Sequence, residues 1–574
     1  MGGDEATTTP GTVKPSDRVL IVGPNLTPNG DLHLGHVAGP YLAGDVYARY
    51  QRARGRDVIY TTGTDDSQTY VVASARRLGI TPEELCHTAS RQIWETLQAM
   101  GISVDGFGPY DDAYRATVLE FFAPLHAAGK FQRRTVQIPY LERTGEFFVE
   151  GMICGDCPIC LAESRGGLCE TCGHPNNYAE LFNLRSNINP ADRLTTREAT
   201  ILVLPLEDYR SQLRDYYQER AGRWRPHIAQ VIREALSKPL PDFPITYPLD
   251  WGIPAPYPQT PGQVFNAWAE TIPAAMFTTA YCATQRGLDP GPPGELWRPD
   301  HGRRLVHFLG FDNAYFWSLP YVALLMAHEG RYILPDTIVP NEFYELESEK
   351  FSTSRGHVVW CRDLLRQVPR DLVRLYLAVT APEHQRTNFS RAGLEKVVEQ
   401  RLCGPWNRLQ ALLGTAAAES RRLDALPVSA AARARTMLML DRFDHYYEFP
   451  DFSLTRAGDL VLVQIDRLLR NAVRLQGRDF REAPADYGDL LLEVAALLAA
   501  ASPILPDLAA AARQGCGLSL SLADGAFDLT AIRPFVPPPL DRMPPASPDD
   551  GRVPTGGAAS ERRSSSLAVE SLVS

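Results

Sequence analysis

Two cysteine pairs, Cys157-Pro-Ile-Cys160 and Cys169-Glu-Thr-Cys172, form two Cys-x-x-Cys turns eight residues apart. Four thiolates so spaced suit a tetrahedral Zn²⁺ at Zn–S distances of about 2.3 Å. Five of the ten cysteines fall between positions 154 and 172, a clustering that neither scattered core cysteines nor disulfides explain. Cys154 could form an alternative pair with Cys157, but Pro158 and Gly173 are what knuckle turns need, which favours the 157/160/169/172 set. A site of four cysteines leaves the metal no open position for water, so it would be structural.

A second group of residues suits polyphosphate chemistry. His33 and His36 stand three apart at the start of a predicted helix, with both rings on one face. With the helix N-terminus they make a positive, donor-rich corner. Gly30 and Gly35 lack a Cβ and let a nucleotide approach the backbone. Asp66, in a Thr-Asp-Asp turn at a predicted strand end, could pair with an α-ammonium or cap the next helix. Gly310 and Asp312, also at a strand end, suit a nucleotide's ribose hydroxyls. The polar loop Lys350-Phe-Ser352-Thr-Ser354-Arg355-Gly356 carries two cations and is a candidate phosphate clamp.

These groups need a scaffold that brings distant loops together. Arg18–Gly23 and Asp57–Thr62 are short apolar runs, each followed by a turn and a stretch of helical periodicity. Strands alternating with helices predict an α/β fold, a doubly wound parallel sheet of Rossmann type with ligands at the carboxyl ends of its strands. The boundaries expected are 18–135 for the first half of this domain and 136–245 for a connective insertion with the zinc knuckle. The second half follows over 246–345, with the sheet resuming near Trp251-Gly-Ile-Pro and again at Leu305–Gly310, and the signature-loop region occupies 346–388. Residues 389–530 read as an α-helical bundle, 1–17 as a disordered arm and 531–574 as a disordered tail.

The chain has 574 residues, 44% of them hydrophobic, enough for several full cores. A net charge of -10 argues against a generally basic nucleic-acid binder and against DNA as a partner. The most apolar stretch, 494–506, is too short to cross a bilayer, so no membrane partner is expected. The remaining cysteines are scattered, which fits a reducing cytoplasm.

Pro28–His36 and Lys350–Ser354 resemble the two signatures of the class I aminoacyl-tRNA synthetases of the methionyl type. The cysteine knuckle, Trp251–Pro254, His307–Gly310, Pro382-Glu383 and Asn388–Ser390 are similar to that family in order and spacing, and the likeness runs from about residue 18 to 510. It implies a ligase that forms an aminoacyl adenylate from an amino acid and ATP with Mg²⁺. His33, His36 and Lys350 would be catalytic, and Gly35, Gly310, Asp312, Lys350, Ser352, Ser354 and Arg355 would bind ATP. Asn25, Thr27, Asp66, Trp268 and Trp317 would bind the amino acid, with Asp66 on its ammonium.

The chain also departs from the family. Thr353 replaces the second lysine of the signature loop, and Asn25 and Thr27 replace an apolar residue and a tyrosine. Trp317 stands where a histidine is usual, so the pocket is reshaped and methionine is expected to be a poor substrate. In the bundle, Pro405 is expected to break or kink the first helix, and no Pro-Trp pair follows. Trp406 and Arg408 could contact a different RNA, or be a core indole and a solvated cation. The expected acyl acceptor is therefore a small amine or hydroxylamine in a biosynthetic pathway, with the tRNA of a methionine-tRNA ligase as the alternative. A catalytically dead RNA-binding protein is disfavoured because His33, His36, Asp66, Asp312 and Lys350 are all present.

Overall fold

A computed structural model describes residues 17–169, 171–351, 357–418 and 425–544. Five parallel strands form the central sheet: β1 (Arg18–Val22), β2 (Asp57–Gly63), β3 (Phe107–Gly108), β4 (Arg304–Gly310) and β5 (Thr337–Asn341). Their order is β5-β4-β1-β2-β3. Side chains alternate across a strand, and here both faces are covered. Val19 and Ile21 join a core with helix Leu42–Ala53 and the bundle. Leu20 and Val22 join a second core with helix Ala267–Gln285. The chain leaves β1 toward β2 on one side and returns at β4 on the other. The crevice at this reversal, outside the strands' carboxyl ends, is where such sheets bind ligands.

Between β3 and β4 lies a large insertion, part of which shares the second core with Leu20 and Val22. Gln132–Leu141 and Thr195–Pro205 pair antiparallel, flanked by Glu146–Phe147 and Asp242–Pro244. Ile153–Asp156 pairs with Glu163–Ser164 and Phe182–Ser186 to carry the cysteine turns. The central sheet does not resume at Trp251-Gly-Ile-Pro, as the sequence had suggested. Thr246–Tyr247 pairs with Val264–Phe265 in a two-stranded ribbon, and Trp251 donates its indole N–H to the Asp66 carbonyl at 2.7 Å. The sheet resumes only at β4.

Beyond β5, Tyr344–Leu346 pairs with Glu349–Lys350 and Thr387–Phe389 in a small sheet, and the chain is otherwise mostly helical, including Arg370–Val379, Gly404–Ala418, Ala430–Tyr447, Leu454–Arg474, Pro484–Ala501 and Pro506–Cys516. Pro405 does not end its helix. The missing N–H is absorbed by wide π-type turns over Val398–Cys403, and α-helix continues through Ala418. Residues 531–544 pack rather than trailing away as a tail. Ala531–Ile532 pairs with Leu426–Pro427, and Phe535 and Leu540 are buried. Asn407 exchanges two hydrogen bonds with the backbone of Leu540, at 2.8 and 3.0 Å. Apolar side chains at 532, 535 and 540 give this proline-rich stretch something to bury. Helix Arg370–Val379 is tied to helix Leu42–Ala53 through Arg374 and Asp45, both fully buried and 2.6 Å apart. Arg374 also donates to the carbonyls of Met100, Pro503 and Ile504. Among the described residues no helix is long and apolar enough to cross a membrane.

Candidate adenylation site and metal centre

The turn after β1 is laced to the turn after β2. Leu26 N–H donates to the Gly63 carbonyl at 3.0 Å and Asp65 N–H to the Leu26 carbonyl at 2.9 Å. The Tyr41 hydroxyl and the Thr62 hydroxyl both donate to the Pro24 carbonyl. These bonds shape one wall of a cavity of about 440 Å³ at the carboxyl ends of the strands. Asn25, Thr27, His33, Gly35, His36, Trp268, Gly310, Asp312 and Trp317 line it, so the structure brings most of the expected site together.

His33 is the N-cap of a short helical turn. Its Nδ1 accepts from Gly35 N–H at 3.1 Å, while its own N–H donates to His36 Nδ1 at 3.3 Å. The rings stack at 3.8 Å, and His33 also stacks on Phe351 at 4.8 Å. An accepting Nδ1 leaves Nε2 as the atom that carries the proton. The pair thus presents two N–H donors rather than two cations. Burial lowers the His36 pKa to about 4, the Asp31 carboxylate opposing, so the expected positive corner is a neutral, donor-bearing one at His36. Gly35 serves the rings: a Cβ there would meet His33 at 3.0 Å and Phe351 at 3.3 Å. Gly30 has open space around it, which keeps the room for a ligand that the sequence implied.

Of the two aspartates in the turn after β2, Asp65 lines the cavity and Asp66 does not. Asp65 N–H is held by the Leu26 carbonyl in the turn after β1, and its successor lies outside the cavity lining. Asp66 points at the Thr64 hydroxyl and the Cys86 thiol. Asp65 Oδ2 accepts from Gln68 Nε2 at 2.8 Å. Its Oδ1, Asn25 Oδ1 and Gln68 Oε1 are buried with no hydrogen-bond partner. Desolvation, opposed by the Gln68 hydrogen bond and reinforced by Asp66 and Glu150, raises the Asp65 pKa to about 8.

The aromatic wall holds Trp268 stacked on Phe316 at 4.0 Å, with the Trp268 indole N–H on Glu150 Oε1 at 2.7 Å. Trp317 is 3% exposed, stacked on Tyr321 and edge-on to His307, so its bulk narrows the pocket. At the opposite end Asp312 Oδ1 accepts from Asn313 Nδ2 at 2.9 Å, and a Cβ on Gly310 would meet that oxygen at 2.5 Å. Asn341 and Glu342 close this side, held from the insertion by Arg225 and by His227 Nδ1, which lies 2.6 Å from Glu342. Lys350 is described only as backbone, in strand Glu349–Lys350, while Ser352, Thr353, Ser354 and Arg355 lie outside the described residues.

Sequence reasoning missed Asp65, Gln68, Glu150, Tyr70 and Arg165 as lining residues. Asp65 and Gln68 flank the residue it named and were one turn away from being found. Glu150 and Arg165 lie in the insertion and gave no local signal.

Cys157, Cys160, Cys169 and Cys172 converge, their sulfurs all within 4.8 Å of one another. Leu161 N–H donates to the Cys157 carbonyl at 3.0 Å and Gly173 N–H to the Cys169 carbonyl at 2.8 Å, closing both knuckle turns. Gly173 takes φ of 73°, which a glycine adopts without strain. Cys154 is buried and stands outside the cluster. Four convergent thiolates fit a tetrahedral thiophilic ion, and the loop between the pairs sends Arg165 and Gly166 into the cavity wall.

A family model described as tRNA synthetases class I (M) matches residues 19–410. Curated methionine–tRNA ligases of Chlorobium chlorochromatii and Salinibacter ruber are each 33% identical to the chain, over 375 and 402 residues. The alignments cover 63% and 67% of this chain, and 52% and 56% of those ligases. The chain thus spans about half the length of the curated relatives it matches. A structure of Mycobacterium tuberculosis methionyl-tRNA synthetase in complex with methionyl-adenylate shares the fold, with a TM-score of 0.70 at 20% identity. That match covers 92% of this chain and 99% of the other.

Proposed function

The chain belongs to the family of class I tRNA synthetases of type M, and from that premise we propose that it activates an α-amino acid with ATP and passes the acyl group to tRNA. A carboxylate oxygen of the amino acid attacks the α-phosphorus, the bond to the bridging oxygen breaks, and pyrophosphate leaves. The product is an aminoacyl adenylate. In this reaction charge builds on non-bridging and leaving oxygens, so preorganised donors supply most of the catalysis. The observation that carries the reading is the stacked His33–His36 pair, whose Nε2 donors share one cavity with Asp65. Asp65 holds the ammonium, Gly310 and Asp312 border the nucleoside, and Lys350 with Ser352, Ser354 and Arg355 takes the triphosphate with its Mg²⁺. Zn²⁺ on Cys157, Cys160, Cys169 and Cys172 would supply folding energy rather than chemistry.

In the second step an acceptor hydroxyl attacks the acyl carbon, an ester forms and AMP leaves. The names of the relatives support tRNA as that acceptor. A small amine or hydroxylamine acceptor finds no support in those relatives. The observation in its favour is that Trp406, the aromatic offered for base stacking, is 1% exposed with its indole N–H on the Pro538 carbonyl. Amino-acid-dependent exchange of pyrophosphate into ATP tests the first step. Acylation of a purified tRNA pool, against AMP release driven by small amines, tests the second.

A further inference from the structure

We infer that the amino acid taken by this cavity carries a basic side chain, recognised by Glu150. The inference rests on the preceding reading that the cavity binds an α-amino acid. Glu150 is 6% exposed and has φ of 47°, in the left-handed region that a non-glycine residue rarely adopts. Its conformation is imposed by the packing. Thr69 Oγ1 bonds the Val149 carbonyl and the Gly151 N–H, and a Cβ on Gly151 would lie 2.5 Å from the Tyr70 nitrogen. The backbone is pressed onto helix Thr69–Leu78 and holds the carboxylate at the edge of the Trp268–Phe316 stack. Unfavourable backbone of this kind persists where the surroundings over-determine it, and such places cluster at ligand sites.

Charge and hydrogen-bond accounting then point to the ligand. Asp65 and Glu150 both line the cavity, and among the described residues no cation acts on either carboxyl. Asn25, Asp65 and Gln68 each present a buried oxygen without a donor, and Gln68 is only 3% exposed. A wall so rich in acceptors is satisfied by a ligand that brings N–H groups. One α-ammonium supplies a single positive charge and three donors, enough for Asp65 and its neighbours. Glu150 is left over, beside the aromatic faces on which an alkyl-ammonium stem packs well. A thioether has no proton to give. Desolvation raises the Glu150 pKa to about 7, opposed by the Trp268 hydrogen bond, so an arriving cation also restores a carboxylate that burial disfavours. Arg165 is the competing cation of this wall, but its guanidinium lies toward the Tyr70 ring, 5.8 Å from the centroid.

Pyrophosphate exchange by the full chain with ornithine, lysine, arginine, methionine, norleucine and glutamate decides the matter. A basic amino acid should exceed methionine in kcat/KM by about tenfold or more, because a buried polar group left unpaired penalises an apolar competitor. Glu150→Gln should raise KM for the basic substrate by a similar factor while leaving KM for ATP in place. Methionine or glutamate as the best substrate would overturn the inference, the latter assigning the pocket to Arg165. An equal loss with every substrate in Glu150→Gln would also overturn it, reducing Glu150 to a support for Trp268. Exchange with no amino acid at all would instead sink the adenylation reading, and this inference with it.

Discussion

Gln68 donates its amide N–H to one oxygen of Asp65 at 2.8 Å, and the other oxygen of that carboxylate is buried without a hydrogen-bond partner. This bond holds the Asp65 carboxylate in one orientation. It also separates two neighbouring aspartates by role, since Asp66 turns to Thr64 and Cys86. Asp65→Asn should raise KM for the amino acid about 10²-fold in pyrophosphate exchange, as loss of one preorganised charge partner typically does. Asp66→Asn should lower the melting temperature more than it changes KM. The reverse pattern would reassign the ammonium site to Asp66.

The same carboxyl sets a pH dependence. Its folded pKa of about 8 lies above the ordinary 3.8, so the unliganded protein holds a proton that the unfolded chain releases. Stability from this group is present below pH 4 and is lost as pH rises toward 8, the slope following the difference in bound protons. Glu150 adds the same sign between 4.5 and about 7. Binding an ammonium requires the ionised form, so amino-acid affinity should rise from pH 6 to 8 as the melting temperature of the free protein falls. Asp65→Asn should flatten both curves.

His36 behaves oppositely. Burial holds its pKa at about 4, below the ordinary 6.5, so its contribution to stability is full above pH 6.5 and is lost as pH falls through 4. Exchange should therefore show no acid limb from His36 down to about pH 5, read from a kcat profile. His36→Ala should reduce kcat about 10²- to 10³-fold, the usual cost of losing one oxyanion donor.

Removal of metal tests the cysteine cluster. One equivalent of zinc should accompany the purified protein, and stripping it with a chelator should disorder the knuckle loop. Because Arg165 and Gly166 reach the cavity from that loop, amino-acid KM should rise before ATP KM does. Cys157→Ser should act in the same way, while Cys154→Ser should leave zinc content unchanged, since Cys154 stands outside the cluster.

Trp406→Ala should cost about 3–5 kcal/mol of stability, the range for truncating a buried indole. Trp406→Phe should cost less and leave tRNA affinity unchanged in a filter-binding titration. A specific loss of RNA binding at full stability would return this residue to the role of a base platform.

Much of the site was legible because its chemistry is local. His33 and His36 share one turn, and the cysteine pairs announce themselves by spacing alone, so both groups appeared where expected. The family expected from the two signatures is also the one whose model matches residues 19–410. What escaped depended on long-range packing. Asp65 rather than Asp66 lines the cavity in a turn laced by a hydrogen bond to Leu26, distant in the chain, and no periodicity carries that information. Glu150 enters the cavity because an insertion folds back over helix Thr69–Leu78. Trp251 looked like a returning strand because its apolar run is short, but its indole was needed at the Asp66 carbonyl. Residues 531–544 looked like a tail by composition, and only the tertiary fold reveals what Phe535 and Leu540 cover.

The Arg374–Asp45 pair bears on how this molecule can be dissected. Each charge is wholly withdrawn from water, and the arginine's remaining donors are spent on carbonyls from both the sheet side and the bundle side. Cutting the chain ahead of residue 389 would keep that pair but remove the Pro503 and Ile504 carbonyls, a loss on the order of 1–3 kcal/mol for each buried donor left unpaired. An isolated catalytic half is therefore a poor experimental object. Heat or denaturant should melt the sheet and the bundle in a single transition.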